Sequence, residues 1–141
     1  MKKGTIVAFL FLLVLSCQAD KKFRTLSVED FSSYISEDSV QLVDVRTLEE
    51  FEGGHLKDAI LIDVKGDSFE NLANSKLDKK QKVAVYCRSG KRSAEASQKL
   101  IDLGFEQVVD LDGGYSEWTN QKKPIAMFDI VNPHYIKHSK T

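Results

Sequence analysis

Cys87 is followed by Arg88, Ser89, Gly90, Lys91, Arg92 and Ser93, so that one cysteine meets three cations and a glycine within a short loop. Sulfur is nucleophilic as the thiolate, and nearby positive charge is one usual way in which a protein favours that form. A helix N-terminus is another, because its converging N–H groups and partial positive charge attract anions. Gly90 supplies a backbone conformation that larger residues resist, which lets the loop curl with its amides inward. The pattern predicts an anion cradle centred on the sulfur of Cys87. The plainer alternative is a small buried hydrophobe finishing a strand, as many free cysteines are. The glycine, the cations and the following helix, all at the required spacing, weigh against it.

Such a loop needs a strand before it and a helix after it, and the sequence provides both. KVAVYC (82–87) is the clearest strand, and in SAEASQKLIDLGF the residues Ala94, Ser97 and Ile101 with Ala96, Leu100 and Leu103 line the buried side of a helix that Gly104 ends. QVVDL (107–111) predicts a further strand and YSEWTNQ a further helix. Upstream, Ser27 with Asp30 caps a helix carrying Val28, Phe31 and Ile35 on one face. QLVDV (41–45) and AILI (59–62) are strands, and between them Thr47 caps LEEFE with Glu50 at the capping-box position. This alternation favours an α/β fold, a parallel sheet covered on both faces with ligands bound beyond the C-terminal strand ends. Cys87 stands at such an end.

The chain of 141 residues has room for one ordinary domain, and 42% hydrophobic with 29% charged residues is a globular balance. Lys2 and Lys3 precede the apolar run Ile6 to Leu15 and then Ser16-Cys17, the pattern of an export signal. Ten apolar residues are about half of the ~20 that a membrane-crossing helix needs. VLSC, Val14 to Cys17, resembles a bacterial lipoprotein signal in which the cysteine receives lipid and becomes the new N-terminus. The expected organisation is a signal over 1–16, a tether over 17–24, a domain over 25–126 and a tail over 127–141. Removing the signal takes away two of the 20 basic and none of the 21 acidic residues, so the formal charge falls from −1 to −3. That disfavours nucleic acid as a partner, since such binding rests on a basic face. With Cys17 lipidated, Cys87 is the only thiol left, which excludes an internal disulfide. The expected destination is the bacterial periplasm or cell envelope, with a lipid anchor in the membrane.

CRSGKR (87–92) resembles the active-site loop of the rhodanese family of sulfurtransferases. Two further stretches are similar to that family: DVRTLEEFEGGHL (44–56), with Asp44, Arg46, Glu50, Phe51, Gly54 and His55 in place, and LDGGYSEW (111–118), with Gly113, Gly114 and Trp118. The resemblance covers about residues 25–126. It implies a five-stranded parallel sheet with helices on both faces and a cysteine persulfide intermediate on Cys87. It further implies that backbone N–H groups from Arg88 to Ser93 hold the persulfide while Arg88, Lys91 and Arg92 attract a small sulfur-containing anion such as thiosulfate. A thiol, cyanide or a protein sulfur acceptor would then take the sulfur, with no cofactor. Two positions depart from the family's pattern: Asp58 stands where a Gly is usual, and Leu61 where an Asn is usual. Cysteine phosphatases set one residue more between Cys and Arg than the four found here, which leaves phosphatase or arsenate reductase-like chemistry as a minor alternative. The shorter loop suits one extra sulfur atom better than a phosphoryl group. A non-catalytic sulfur-carrier or redox-responsive module is the other reading, made relevant by an oxidising compartment.

Of the remaining candidates, Arg46, two residues after Asp44 at a strand end, offers help in binding the donor but is expected rather to pair with carboxylates and brace the loop. His55 in its turn is expected to hydrogen-bond nearby backbone and not to act as a base. Trp118 with Tyr115 should pack the last helix onto the sheet. His134 and His138 are too isolated for a metal site, where three or four ligands must converge. The tail residues Phe128, Ile130, Val131, Tyr135 and Ile136 suggest packing on the domain or on a partner.

Overall fold

The β-branched runs become the middle of a five-stranded sheet in the computed structural model, which describes residues 22–127. The signal, Cys17 with most of the tether, and the tail beyond Met127 lie outside the described residues. The strands are β1 (Arg24–Leu26), β2 (Gln41–Asp44), β3 (Ile60–Leu61), β4 (Val83–Tyr86) and β5 (Val108–Leu111). Their order is β1-β5-β4-β2-β3 and every neighbouring pair is parallel. The helices are α1 (Val28–Ile35), α2 (Leu48–Glu52), α3 (Phe69–Lys76), α4 (Lys91–Asp102) and α5 (Gly114–Asn120).

Strand alternation divides the core in two. Val43, Val83, Val85 and Cys87 face one way and pack with Phe69 and Ala73 of α3 and Ala96 and Leu100 of α4. Leu42, Ala84 and Tyr86 face the other way, toward Phe31 of α1, Phe51 of α2 and Trp118 of α5. Side chains as fully buried as Phe31, Leu100 and Phe105 each contribute about 1.5–3 kcal/mol on burial. With both faces covered, β4 at the centre is buried at every position, as a parallel strand should be.

The caps expected from the sequence form. The Ser27 hydroxyl accepts from the Asp30 N–H at 3.2 Å, and Thr47 and Glu50 complete the capping box of α2. Gly104, at φ +94°, follows α4 as anticipated. Three findings differ. Arg24, assigned to the tether, opens β1, whose pairing with β5 draws it into the sheet. Helix α3 was not foreseen, because its apolar residues are few and Ser68 makes no side-chain cap bond. On α4 the buried positions are Ser93, Ala96, Ser97, Leu100 and Ile101, whereas Ala94 and Leu103 are only partly buried. Asp58, where the family has a Gly, adopts φ +64°, a left-handed conformation that Asp tolerates better than most residues.

Candidate active site

Cys87 directly follows β4, and Arg88 and Ser89 lead through Gly90 into α4. Gly90 is the N-cap of α4 at φ +99°, and the helix receives no side-chain cap bond. Ala94 is the first amide of the helix to bond back, to the Gly90 carbonyl at 3.1 Å. The N–H groups of Lys91, Arg92 and Ser93 therefore have no intrahelical acceptor. The Gly90 N–H points to the Cys87 Sγ at 3.1 Å. Cys87 is itself buried and free of any disulfide among the described residues. The sulfur thus lies at the floor of a loop lined by main-chain donors, an arrangement suited to an anion.

The loop is held from behind by α5. The Tyr115 N–H donates to the Cys87 carbonyl at 2.8 Å and the Ser116 N–H to the Arg88 carbonyl at 3.0 Å. These bonds turn both carbonyls away from the sulfur side of the loop. They require close approach: a Cβ on Gly114, which has φ +59°, would lie 2.5 Å from the Cys87 carbonyl oxygen and 2.7 Å from the Arg88 carbonyl. The closing GGY stretch is therefore part of the Cys87 site, although the sequence alone showed only that it recurs in the family.

The three cations of the loop differ in their surroundings. Arg88 and Lys91 are exposed, and no ion pair involves either among the described residues. Arg92 is half-buried and its guanidinium meets both Glu50 oxygens, at 2.8 and 2.7 Å. The same Glu50 closes the capping box with Thr47. The Arg92 hydrogen bonds, with help from Thr47, hold the Glu50 carboxyl down at about 2. Arg92, expected to draw the donor, is paired with Glu50 and so ties α4 to α2. Ser89 is exposed on the loop, and Ser93, buried below it, donates to the Gly90 carbonyl at 3.2 Å.

Asp44 and Arg46 form a buried knot beside the loop on the opposite face of the sheet. Arg46 donates to Asp44 through Nε at 3.0 Å and through its terminal nitrogen at 2.7 Å, and to the Gly54 carbonyl at 2.7 Å. The Tyr86 hydroxyl donates to Asp44 at 2.6 Å and accepts from the Leu56 N–H at 3.0 Å. Burial and the adjacent Asp44 push the Tyr86 hydroxyl far above its ordinary range, so it stays a donor. The Arg46 guanidinium also lies over the Tyr115 ring at 4.2 Å. Tyr115 thus packs on Arg46, while Trp118 meets Phe31 edge-on at 6.4 Å. A ring nitrogen of His55 hydrogen-bonds the Phe51 carbonyl at 3.0 Å, and the ring stacks on Phe51. Burial holds the imidazole below its ordinary range. Arg46 and His55 are thus both tied to neighbouring backbone carbonyls, of Gly54 and Phe51. Sequence reasoning missed Tyr86, the Glu50 partner of Arg92 and the buried Asp110; a polar residue inside an apolar strand run was the available signal for the last. Among the described residues no group of three or more His, Cys, Asp and Glu side chains could hold a metal.

A doubly covered parallel sheet with a cysteine loop between its central strand and a helix N-terminus defines the class. The sequence matches the Rhodanese-like domain family over residues 27–121, and the chain belongs to that family. It is 36% identical over 98 residues to the thiosulfate sulfurtransferase GlpE of Shewanella oneidensis, covering 68% of this chain and 92% of that one. It is 37% identical over 92 residues to the senescence-associated protein DIN1 of Raphanus sativus, covering 59% of this chain but only half of that protein's length. Among solved structures it is similar to a rhodanese-related protein from Thermoplasma volcanium, with a TM-score of 0.62, 28% identity, and 75% of this chain and all of that one covered.

Proposed function

We propose that the chain is a sulfurtransferase in which Cys87 carries a sulfane sulfur from a small donor such as thiosulfate to a thiol or cyanide acceptor. The Cys87 thiolate attacks the outer sulfur of thiosulfate, the S–S bond of the donor breaks, and sulfite leaves with the bonding pair. Cys87 is left as a persulfide anion. Cyanide or a thiolate then attacks the outer sulfur, giving thiocyanate or a new persulfide and restoring the Cys87 thiolate. The observation that carries this reading is the Gly90 N–H on Sγ at 3.1 Å, at the foot of a helix with no side-chain cap. The N–H groups of Lys91, Arg92 and Ser93 would stabilise the charge as it moves to the outer sulfur. Exposed Arg88 and Lys91 would raise the local concentration of an anionic donor.

Arg92 would act through position: its bidentate pair with Glu50 turns it away from the role that an arginine plays in phosphatase chemistry. The four-residue spacing from Cys87 to Arg92 supports the same choice. Thiocyanate production from thiosulfate and cyanide tests the function. Parallel double-reciprocal lines are expected, the mark of a two-step covalent transfer. Intersecting lines, or no thiocyanate with any sulfane donor, would reject it. A sulfur-carrier role is a second reading, supported by the full burial of Cys87, which shields the sulfur from free acceptors; it predicts loading without turnover until a partner protein docks. The proposed location is the bacterial cell envelope, with Cys17 lipidated and the domain anchored to a membrane. Loss of membrane association in Cys17→Ser would support this; unchanged fractionation would oppose it.

A further inference from the structure

On the α4 face of the sheet lies a carboxyl that the sulfur chemistry leaves unassigned. Asp110 sits in β5, in register with Val85 of β4 and Thr25 of β1. Its neighbours Val109 and Leu111 enter the core beneath α1 and α5, while Val108 packs under α4; alternation sends Asp110 to the α4 side. It is 3% exposed, and its Oδ1 has no hydrogen-bond partner among the described residues. Removal from water pushes its carboxyl up to about 6; the Ser93 hydroxyl and the Leu111 N–H temper that rise and Asp112 adds to it. Ser97, one turn beyond Ser93, is also fully buried, and its hydroxyl has no partner among the described residues.

Ser93 lies between this carboxyl and the loop. Its hydroxyl donates to the Gly90 carbonyl at 3.2 Å, and the Gly90 N–H donates to Cys87 Sγ at 3.1 Å. Cys87 follows Val85 by two residues on the same face. A rise of about 3.3 Å per residue and a strand spacing of about 4.8 Å then place the Asp110 and Cys87 backbones about 8 Å apart. Two negative charges that close in a buried setting repel with little screening. The groups around Asp110 are Ser93 from α4, Val85 from β4 with Cys87 just beyond that strand, Thr25 from β1 and Asp112 beyond β5. Of these, only Cys87 and Asp112 can carry charge, and Arg92 in the first turn of α4 is turned to Glu50.

Building on the persulfide reading, we infer that Asp110 is a positioning residue that competes with the Cys87 sulfur for the one negative charge the α4 N-terminus accommodates. A protonated Asp110 leaves the donors of the loop to the sulfur anion. An ionised Asp110 opposes that anion from beneath, by charge alone. The coupling is reciprocal, as any linkage between two sites must be.

Asp110→Asn keeps the shape of the neutral acid at every pH. In the full chain, the rate of sulfur loading from thiosulfate is expected to match the wild type near pH 5 and to exceed it about threefold or more near pH 7.5. A purely structural role would shift both ends of the profile alike, and parallel profiles would overturn the inference. A second measurement needs neither that variant nor sulfur transfer: the Asp110 carboxyl is titrated by carbon NMR in the wild type and in Cys87→Ser. The midpoint is expected to lie about half a pH unit or more higher in the wild type, and equal midpoints would overturn the inference. Absence of loading in the wild type would instead remove the persulfide reading, while the carboxyl titration would still decide the coupling.

Discussion

Tyr86 and Cys87 are adjacent in sequence and face opposite sides of the sheet, into two polar regions built on different plans. Tyr86 enters a knot of side chains with Asp44 and Arg46, in which Asp44 takes bonds from both partners and Arg46 also meets the Gly54 carbonyl. Asp44 and Arg46 are almost wholly buried. Cys87 enters a cradle of main-chain N–H groups at a helix start that no side chain caps. The knot has its hydrogen bonds made and its charges matched, so it holds the strand ends in place. The cradle keeps donors in reserve for an anion and leaves Arg88 and Lys91 exposed to attract one. At the C-terminal ends of neighbouring strands, then, a saturated polar group gives shape and an unsaturated one offers a place for an anion.

This contrast can be broken from either side. Cys87→Ser should abolish sulfur loading while leaving the thermal midpoint within a few degrees of wild type, because the oxygen fits the same buried site; retained loading would assign the chemistry elsewhere. Gly114→Ala should cost about 100-fold or more in loading rate. The new Cβ would push the Cys87 and Arg88 carbonyls out of place, and misplacement by about 1 Å is enough for a loss of that size. Arg46→Met should show the reverse signature. Urea unfolding should report about 3–5 kcal/mol lost, because Asp44 keeps a buried charge without its partner. The protein that remains folded should load sulfur within about threefold of the wild-type rate if Arg46 only braces the strand ends; a larger loss would give it a part in the transfer.

The smallest effect belongs to Glu50→Gln, which loosens α4 from α2. The Glu50 carboxyl is held at about 2 in the folded chain, against 4.5 ordinarily. A depressed carboxyl contributes stability above its unfolded value, and that stability is lost as pH falls from 4.5 toward 2. For a pair partly open to solvent the variant should lose about 1 kcal/mol at neutral pH and nothing near pH 2. Chemical unfolding at several pH values would measure this; a loss independent of pH would show that the ion pair is not its source.

Much of the scaffold was legible because local rules and tertiary packing agree there. KVAVYC and QVVDL are β-branched runs buried on both faces, and Ser27 and Thr47 make the cap bonds their spacing foretold. β1 gave no such signal: its Arg24 and Thr25 are exposed, and it is a strand because β5 offers it a partner. The cysteine, the glycine and the helix start of the site were readable as a contiguous loop. The partner of Arg92 was not, because Glu50 lies 42 residues away and had a sufficient local explanation as a capping-box residue. The contribution of Gly114 was likewise hidden, since its reason is a carbonyl that only the folded chain brings near. Asp110 is the one charged residue within the strand run VVDL, and the cover of α4 is what makes it a buried acid.

In the proposed transfer the main chain around Cys87 holds the sulfur anion, while the charges of the loop only deliver it. The most direct measurement is peptide mapping by mass spectrometry after exposure of the full chain, and of its Arg88→Gln/Lys91→Gln double variant, to saturating thiosulfate. One added sulfur atom per chain, located on Cys87 in both proteins, is the predicted result. An unmodified Cys87 in the wild type, or loading that the double variant cannot reach even at saturation, would contradict it.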